Sequence, residues 1–265
     1  MSLKSRSEWK RFEGRQKWIR ILSSLSVLAA LFIFWETMDV RVSYFADAPV
    51  HLYDLFSRMY PPDMSILPSL IGPTIETFHM SLLATGFAFI FSIPTAILAA
   101  ENLSPNDVTY GFGKLIISTC RSVHDIIWAL IFVLILGPGA LAGILGMGMK
   151  SIGFIGKFFA EEIEEIDRNT TKAVRATGAN SALIMIYGIV PQIKAAFVGL
   201  TVYRWDVNIR AATIVGLVGA GGIGVQLDQA MGFLYWGEVL TILIVIFVLV
   251  VISEVVSAYL REKTR

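Results

Sequence analysis

The chain has one cysteine, three histidines and few charges. Cys120 alone makes no disulfide framework and no thiolate cluster; inside an apolar run it reads as a small packing residue. His51, His79 and His124 are too scattered to suggest a metal site. No serine, histidine and acid share a recognisable nucleophile context, which argues against a membrane enzyme. Only 16% of the 265 residues are charged, against 55% hydrophobic. A soluble domain of this length carries about 25% charge to keep its surface wet. The net charge of +1 gives no reason to expect a nucleic-acid partner. There is no Gly-Lys-Ser/Thr run, so the chain itself is expected to bind no ATP and to be no enzyme. Its nearest approach, Gly143 through Lys150-Ser151, is interrupted by Met149. No bound cofactor is expected.

What is abundant is apolar sequence. A bilayer core of about 30 Å needs about 20 apolar residues as helix. Six segments qualify: Ile19–Thr37, Ile75–Ala100 with Pro94, Gly111–Leu136, Ala140–Phe159, Ile193–Val218 and Val239–Tyr259. A basic start before Ile21–Trp35 is also how a secretory signal begins. Here Glu36 to Asp39 follow with no small-residue cleavage site, so an uncleaved first helix is expected. The expected fold is an all-α membrane protein of about six transmembrane helices. Residues 1–18 read as a basic cytoplasmic N-terminus, and residues 19–265 as a single transmembrane domain. The proline-rich stretch 38–74 is expected to hold a short helix around Val50–Arg58.

Basic residues orient the spans, because cytoplasmic segments collect Lys and Arg. Lys4, Arg6, Lys10, Arg11, Arg15, Lys17 and Arg20 precede the first span; Arg261, Lys263 and Arg265 follow the last. Lys157, Arg168, Lys172 and Arg175 flank the gap between spans four and five. All three clusters agree with both termini inside. In that gap, residues 160–191, the acids Glu161–Asp167 suit the start of a helix, where they complement its dipole. Small residues follow at Ala173, Ala176, Thr177 and Ala179. Gly178 suits a left-handed helix end, and Pro191 the first turn of the next helix. By spacing alone this is either a solvated connection or a short helix that another protein approaches closely.

Charges inside the spans are costly, by about 2.5–3.5 kcal/mol each on insertion scales. Arg121, His124, Asp125, Arg204, Asp206 and Arg210 all fall there. Arg121 with Asp125, and Asp206 with Arg210, are four apart and able to pair on one helix. They either knit helices together or line a polar path. Gly219-Ala-Gly221-Gly-Ile-Gly224 matches a dinucleotide-binding spacing, but a membrane helix precedes it in place of a strand. Its glycines read as a turn at the outer end of span five, and as a candidate gate.

Two blocks resemble a known family. Lys172-Ala-Val-Arg-Ala-Thr-Gly178, with Pro191 thirteen residues on, resembles the EAA loop of ABC-importer permeases. That pattern is Glu-Ala-Ala, three residues, Gly, nine residues, Ile, one residue, Leu-Pro. Ala173, Gly178 and Pro191 match in register, with Val174 and Val190 as conservative replacements. Lys172 stands where the pattern has Glu, and Gly188 where it has Ile, so a salt bridge from that glutamate is not carried over. Tyr203-Arg-Trp-Asp-Val-Asn208-Ile-Arg-Ala-Ala-Thr213, running on to Gly216–Gly224, resembles the permeases of phosphonate uptake; Arg121-Ser-Val-His-Asp125 fits the same family. The resemblance covers roughly residues 70–260.

It implies a type I importer permease in a bacterial inner membrane. Its partners would be a second permease copy, expected as a homodimer, two ATP-binding cassette subunits that hold the ATP, and an external solute-binding protein. It places Lys172, Ala173, Arg175, Ala176, Gly178 and Pro191 at the ATPase. Arg121, His124, Asp125, Arg204, Asp206, Asn208 and Arg210 would line a low-affinity path for a phosphonate-like oxyanion, with Arg204 the first candidate. A secondary transporter or channel is the alternative reading. It would favour inverted internal repeats, and no convincing repeat relates the two halves.

Overall fold

The computed structural model describes residues 15–38 and 43–263. The basic positions 4 to 11 lie outside the described residues. The chain divides into two compact units, residues 1–57 and 58–265. The first holds helix α1 (Arg15–Thr37), apolar and long enough to cross a bilayer, and most of α2 (Ser43–Met59). Helix α2 begins well before the expected Val50.

The second unit is a helical bundle. After a 3₁₀ turn at Met64–Ile66, capped by Asp63 accepting from the Ser65 amide at 2.9 Å, comes the 33-residue α3 (Leu67–Ala99). It starts at Leu67, not Ile75, because Pro68 sits in the first turn, where its missing N–H costs nothing. Helices α4 (Asp107–Ser122), α5 (Asp125–Leu136) and α6 (Ala140–Glu164) follow. Then come α7 (Arg168–Ala176), a single turn α8 (Ser181–Leu183) and a π-helical turn Ile184–Ile189. The last three are α9 (Val190–Gly216), α10 (Ile223–Gly232) and α11 (Trp236–Lys263).

The expected third span is not one helix. It breaks at Val123–His124, and its halves meet at 91°. Both halves still climb α6 in one direction. Lys114 pairs with Glu164 at 3.6 Å, Gly153 lies against Cys120 and Arg121, Asp125 pairs with Lys150 at 3.2 Å, and Gly146 lies against Ala129. The pair is therefore one broken span rather than a hairpin returning to its own side. A break inside a bilayer is tolerated when neighbours satisfy the freed backbone groups. Here the Trp128 indole of α5 donates to the Cys120 carbonyl of α4 at 3.4 Å. With α1, α3, α6, α9 and α11, the broken pair brings the segments long and apolar enough to cross a membrane to six among the described residues.

Two apolar cores stack along the bundle. One gathers Ile117, Ile155, Phe159, Ile163, Ile189 and Ile193, with Phe159 stacked on Phe197 at 3.5 Å between ring centroids. The other gathers Met80, Ala84, Ala129, Met147, Ala212 and Val215. Between them the bundle is polar.

Candidate functional site

The polar layer is organised by α9. Arg204 is 4% exposed. Its Nε donates to Ser151 Oγ of α6 at 2.8 Å, and its guanidinium meets Asp125 Oδ1 of α5 at 3.4 Å. It also lies over the Phe154 ring, 5.3 Å from the centroid. The second Asp125 oxygen takes Lys150 Nζ at 3.2 Å. One turn on, Asn208 Oδ1 faces Ser151 Oγ at 3.1 Å, and its amide donates to Thr85 Oγ1 of α3 at 2.8 Å. Asp206 points elsewhere: one oxygen pairs with Arg210 at 2.6 Å, and the other accepts from Ser253 of α11 at 2.9 Å. Two faces of α9 thus hold its neighbours: Arg204 and Asn208 bind α3, α5 and α6, and Asp206 binds α11. A buried ion pair returns little net stability, but removing one partner strands the other.

The predicted residues do not all meet. Asp206 and Arg210 pair as their spacing suggests. Arg121 and Asp125 do not, because the helix ends between them: Asp125 turns inward to Arg204 and Lys150, while Arg121 and His124 are exposed. Arg204, the first candidate for lining a path, is enclosed by its own helices. Arg210, with 41% of its side chain exposed, is the network arginine that reaches the surface of the chain. Lys150, Ser151, Thr85 and Ser253 were missed. A lone lysine in an apolar run, as at Lys150, was the available signal.

The coupling segment also differs in part. Glu161–Glu164 close α6 rather than open a new helix, because α6 runs past Phe159 to Glu164. Lys157 pairs with Glu161 at 3.2 Å on that last turn. Only Asp167 serves the next helix, capping α7 by accepting from the Asn169 amide at 2.9 Å. Lys172, Ala173, Arg175 and Ala176 are all exposed on α7, at spacings that share one face. Gly178 has φ +79° after the helix end, as a left-handed cap requires. Pro191 sits in the first turn of α9. Gln192, beside it, accepts from the Asp167 backbone N–H at 2.9 Å and donates to the Gly188 carbonyl at 2.6 Å. It ties the cap of α7 to α9 and to the π turn between them.

At the other end, Gly219, Gly221 and Gly222 adopt φ of +81°, +90° and +73°. The turn they make is pinned. Gly139 N–H donates to the Gly219 carbonyl at 3.0 Å, and Ile223 N–H to the buried Thr77 hydroxyl at 2.8 Å. Gly224, in the first turn of α10, lies against Gly216 of α9; a Cβ on Gly216 would come within 2.6 Å of its α-carbon. Among the described residues, no three His, Cys, Asp or Glu are grouped to hold a metal ion.

The chain is 35% identical over 247 residues to the phosphite transport system permease protein PtxC of Stutzerimonas stutzeri, covering 92% of this chain and 90% of that one. It is 33% identical over 239 residues to the putative phosphite transport system permease protein HtxC of the same organism, covering 90% and 85%. It is 36% identical over 217 residues to the phosphate-import permease protein PhnE of Mycolicibacterium smegmatis, covering 82% of this chain and 41% of that one. The fold is similar to a chain of the inward-facing MetNI methionine ABC transporter, with a TM-score of 0.64 at 20% identity, over 77% of this chain and 99% of that one. Residues 92–265, from the end of α3 to the C-terminus, match the pattern of the binding-protein-dependent transport system inner membrane component, and the chain belongs to that family of importer permeases.

Proposed function

We propose that the chain is the passage of an ATP-driven importer for phosphonate, phosphite or phosphate. The similarity to permeases named for phosphite and phosphate carries the cargo class. The charge balance supports it. Lys150, Arg204 and Arg210 against Asp125 and Asp206 leave one net positive charge in the polar layer. Arginine meets tetrahedral oxyanions in a planar fork. Arg210 meets the cargo, and Arg204 holds the helices around it. Binding stays weak because passage requires release. The glycine turn Gly219–Gly224 closes the far end.

The α7 end faces the cytoplasm, and so do both termini. At the opposite end, residues 60–66 and 217–238 contain no Lys or Arg, whereas Lys157, Lys172, Arg175 and Lys194 gather around α7. Ala173 and Ala176, on the outer side of α7, dock on an ATP-binding cassette subunit, with Lys172 and Arg175 at the edge of that face toward the bundle. ATP is held by two such partners and no cofactor by this chain. A second permease copy, identical or related, completes the passage in a bacterial cytoplasmic membrane, and an external binding protein selects the cargo.

The complete importer in proteoliposomes tests this. Uptake of radiolabelled phosphite or methylphosphonate should need ATP and stop without the ATPase subunits. Uptake by this chain alone, driven by an ion gradient, would favour a secondary transporter.

A further inference from the structure

A cavity of about 420 Å³ lies between α7 and the turn joining α3 to α4. Glu101 and Asn102 line it from the turn; Thr171, Lys172 and Arg175 line it from α7. The turn is fixed in place. Glu101 N–H donates to Glu164 Oε1 at 3.0 Å, and the Asn102 amide to the Ile163 carbonyl at 2.6 Å. The Thr171 hydroxyl oxygen is buried and has no hydrogen-bond partner, a costly state for a polar group. Lys172 and Arg175 have no ion-pair partner among the described residues.

Two cations and one carboxylate leave a net positive charge, which suits an anion. The carboxylate narrows the choice. Glu101 only accepts hydrogen bonds, so an anion beside it is favoured when it carries its own proton. Phosphate carries a P–OH in both its neutral-pH forms, and phosphite and alkylphosphonates carry one as monoanions. Sulfate and the phosphodiester of a lipid headgroup do not.

We propose that this cavity binds a proton-bearing phosphorus oxyanion from the α7 side of the membrane. There the P–OH donates to Glu101, and the remaining oxygens accept from Thr171, Lys172 and Arg175. The anion bridges α7 to the α3–α4 turn and holds α7 against the bundle, so accumulated cargo slows its own import. This rests on the reading of α7 as the helix that docks on the ATPase.

Equilibrium dialysis of radiolabelled inorganic phosphate against the complete importer in nanodiscs, without nucleotide, tests the site. Import into proteoliposomes loaded with phosphate or sulfate tests its effect. Wild type should bind phosphate here, and internal phosphate but not sulfate should slow import. Thr171→Val should weaken this binding about tenfold, the loss of one hydrogen bond to a charged group. Glu101→Gln, which supplies an amide donor, should let sulfate bind and inhibit. Unchanged phosphate binding in both variants, or inhibition of wild type by sulfate as strong as by phosphate, overturns the proposal. Dialysis needs no transport, so a complete failure of import would count against the importer reading while the binding result still decides the site.

Discussion

Gln192 Oε1 accepts from the Asp167 backbone N–H at 2.9 Å, across 25 residues of chain. This joins the capping residue of α7 to the first turn of α9. Its amide also holds the π turn through the Gly188 carbonyl at 2.6 Å. A push on α7 therefore has a direct route into the helix that carries Arg204, Asp206, Asn208 and Arg210. π turns within helices recur at functional sites.

Gln192→Leu keeps the size and removes both hydrogen bonds. It should cost about 1–3 kcal/mol of local stability, since a donor and an acceptor lose their partner. The importer should still hydrolyse ATP, with cargo moved per ATP falling severalfold. Measuring uptake and hydrolysis on the same proteoliposomes checks this; an unchanged ratio sinks the route.

Arg204→Met leaves Asp125 with Lys150 alone in a buried layer. The expected loss is about 3 kcal/mol, the low end for breaking a buried pair. Adding Asp125→Leu should recover part of it, because the buried carboxylate disappears and the Lys150 side chain, 25% exposed, can turn toward water. Thermal unfolding of the single and double variants in nanodiscs reads the sign of that recovery.

Arg210→Gln acts differently, because the Arg210 side chain is 41% exposed and the Asp206 carboxylate keeps its bond from Ser253. Its melting temperature should fall by several degrees, because Asp206, 6% exposed, loses its cation and keeps only Ser253 and the shorter Gln amide as donors. Uptake should fall about tenfold, the loss of one charge-assisted contact to the oxyanion. Full uptake would remove Arg210 from the path.

Gly146→Ala places a Cβ 2.6 Å from backbone atoms of Ala129, where neither helix can yield cheaply. Overpacking of this kind costs about 1–3 kcal/mol. Gly199→Ala, with nothing within 4 Å, should be neutral or slightly stabilising. The two melting curves together show whether close approach of α5 to α6 is what the glycine supplies.

Much of the architecture was legible along the chain. The long apolar runs marked the spans, and Gly178 and Pro191 marked the end of α7 and the start of α9. Those features depend on a residue's own backbone or its immediate neighbours. The end of α6 was misjudged because Glu161–Glu164 continue a helix whose apolar stretch had stopped: helix propensity outran the bilayer. The break at Val123–His124 was not legible, because pairing Arg121 with Asp125 presupposed one continuous helix.

Composition and local sequence settled that this chain crosses a membrane, how many segments can do so, and which short helix stands apart between spans four and five. Hydropathy and turn chemistry are properties of neighbouring residues, so they survive in one dimension. The partners of the buried charges came only from the folded bundle. Asp125 meets Lys150 and Arg204, 25 and 79 positions away. Such pairing depends on which faces of α5, α6 and α9 turn toward one another, and a charge in an apolar layer takes whichever opposite charge the packing brings near.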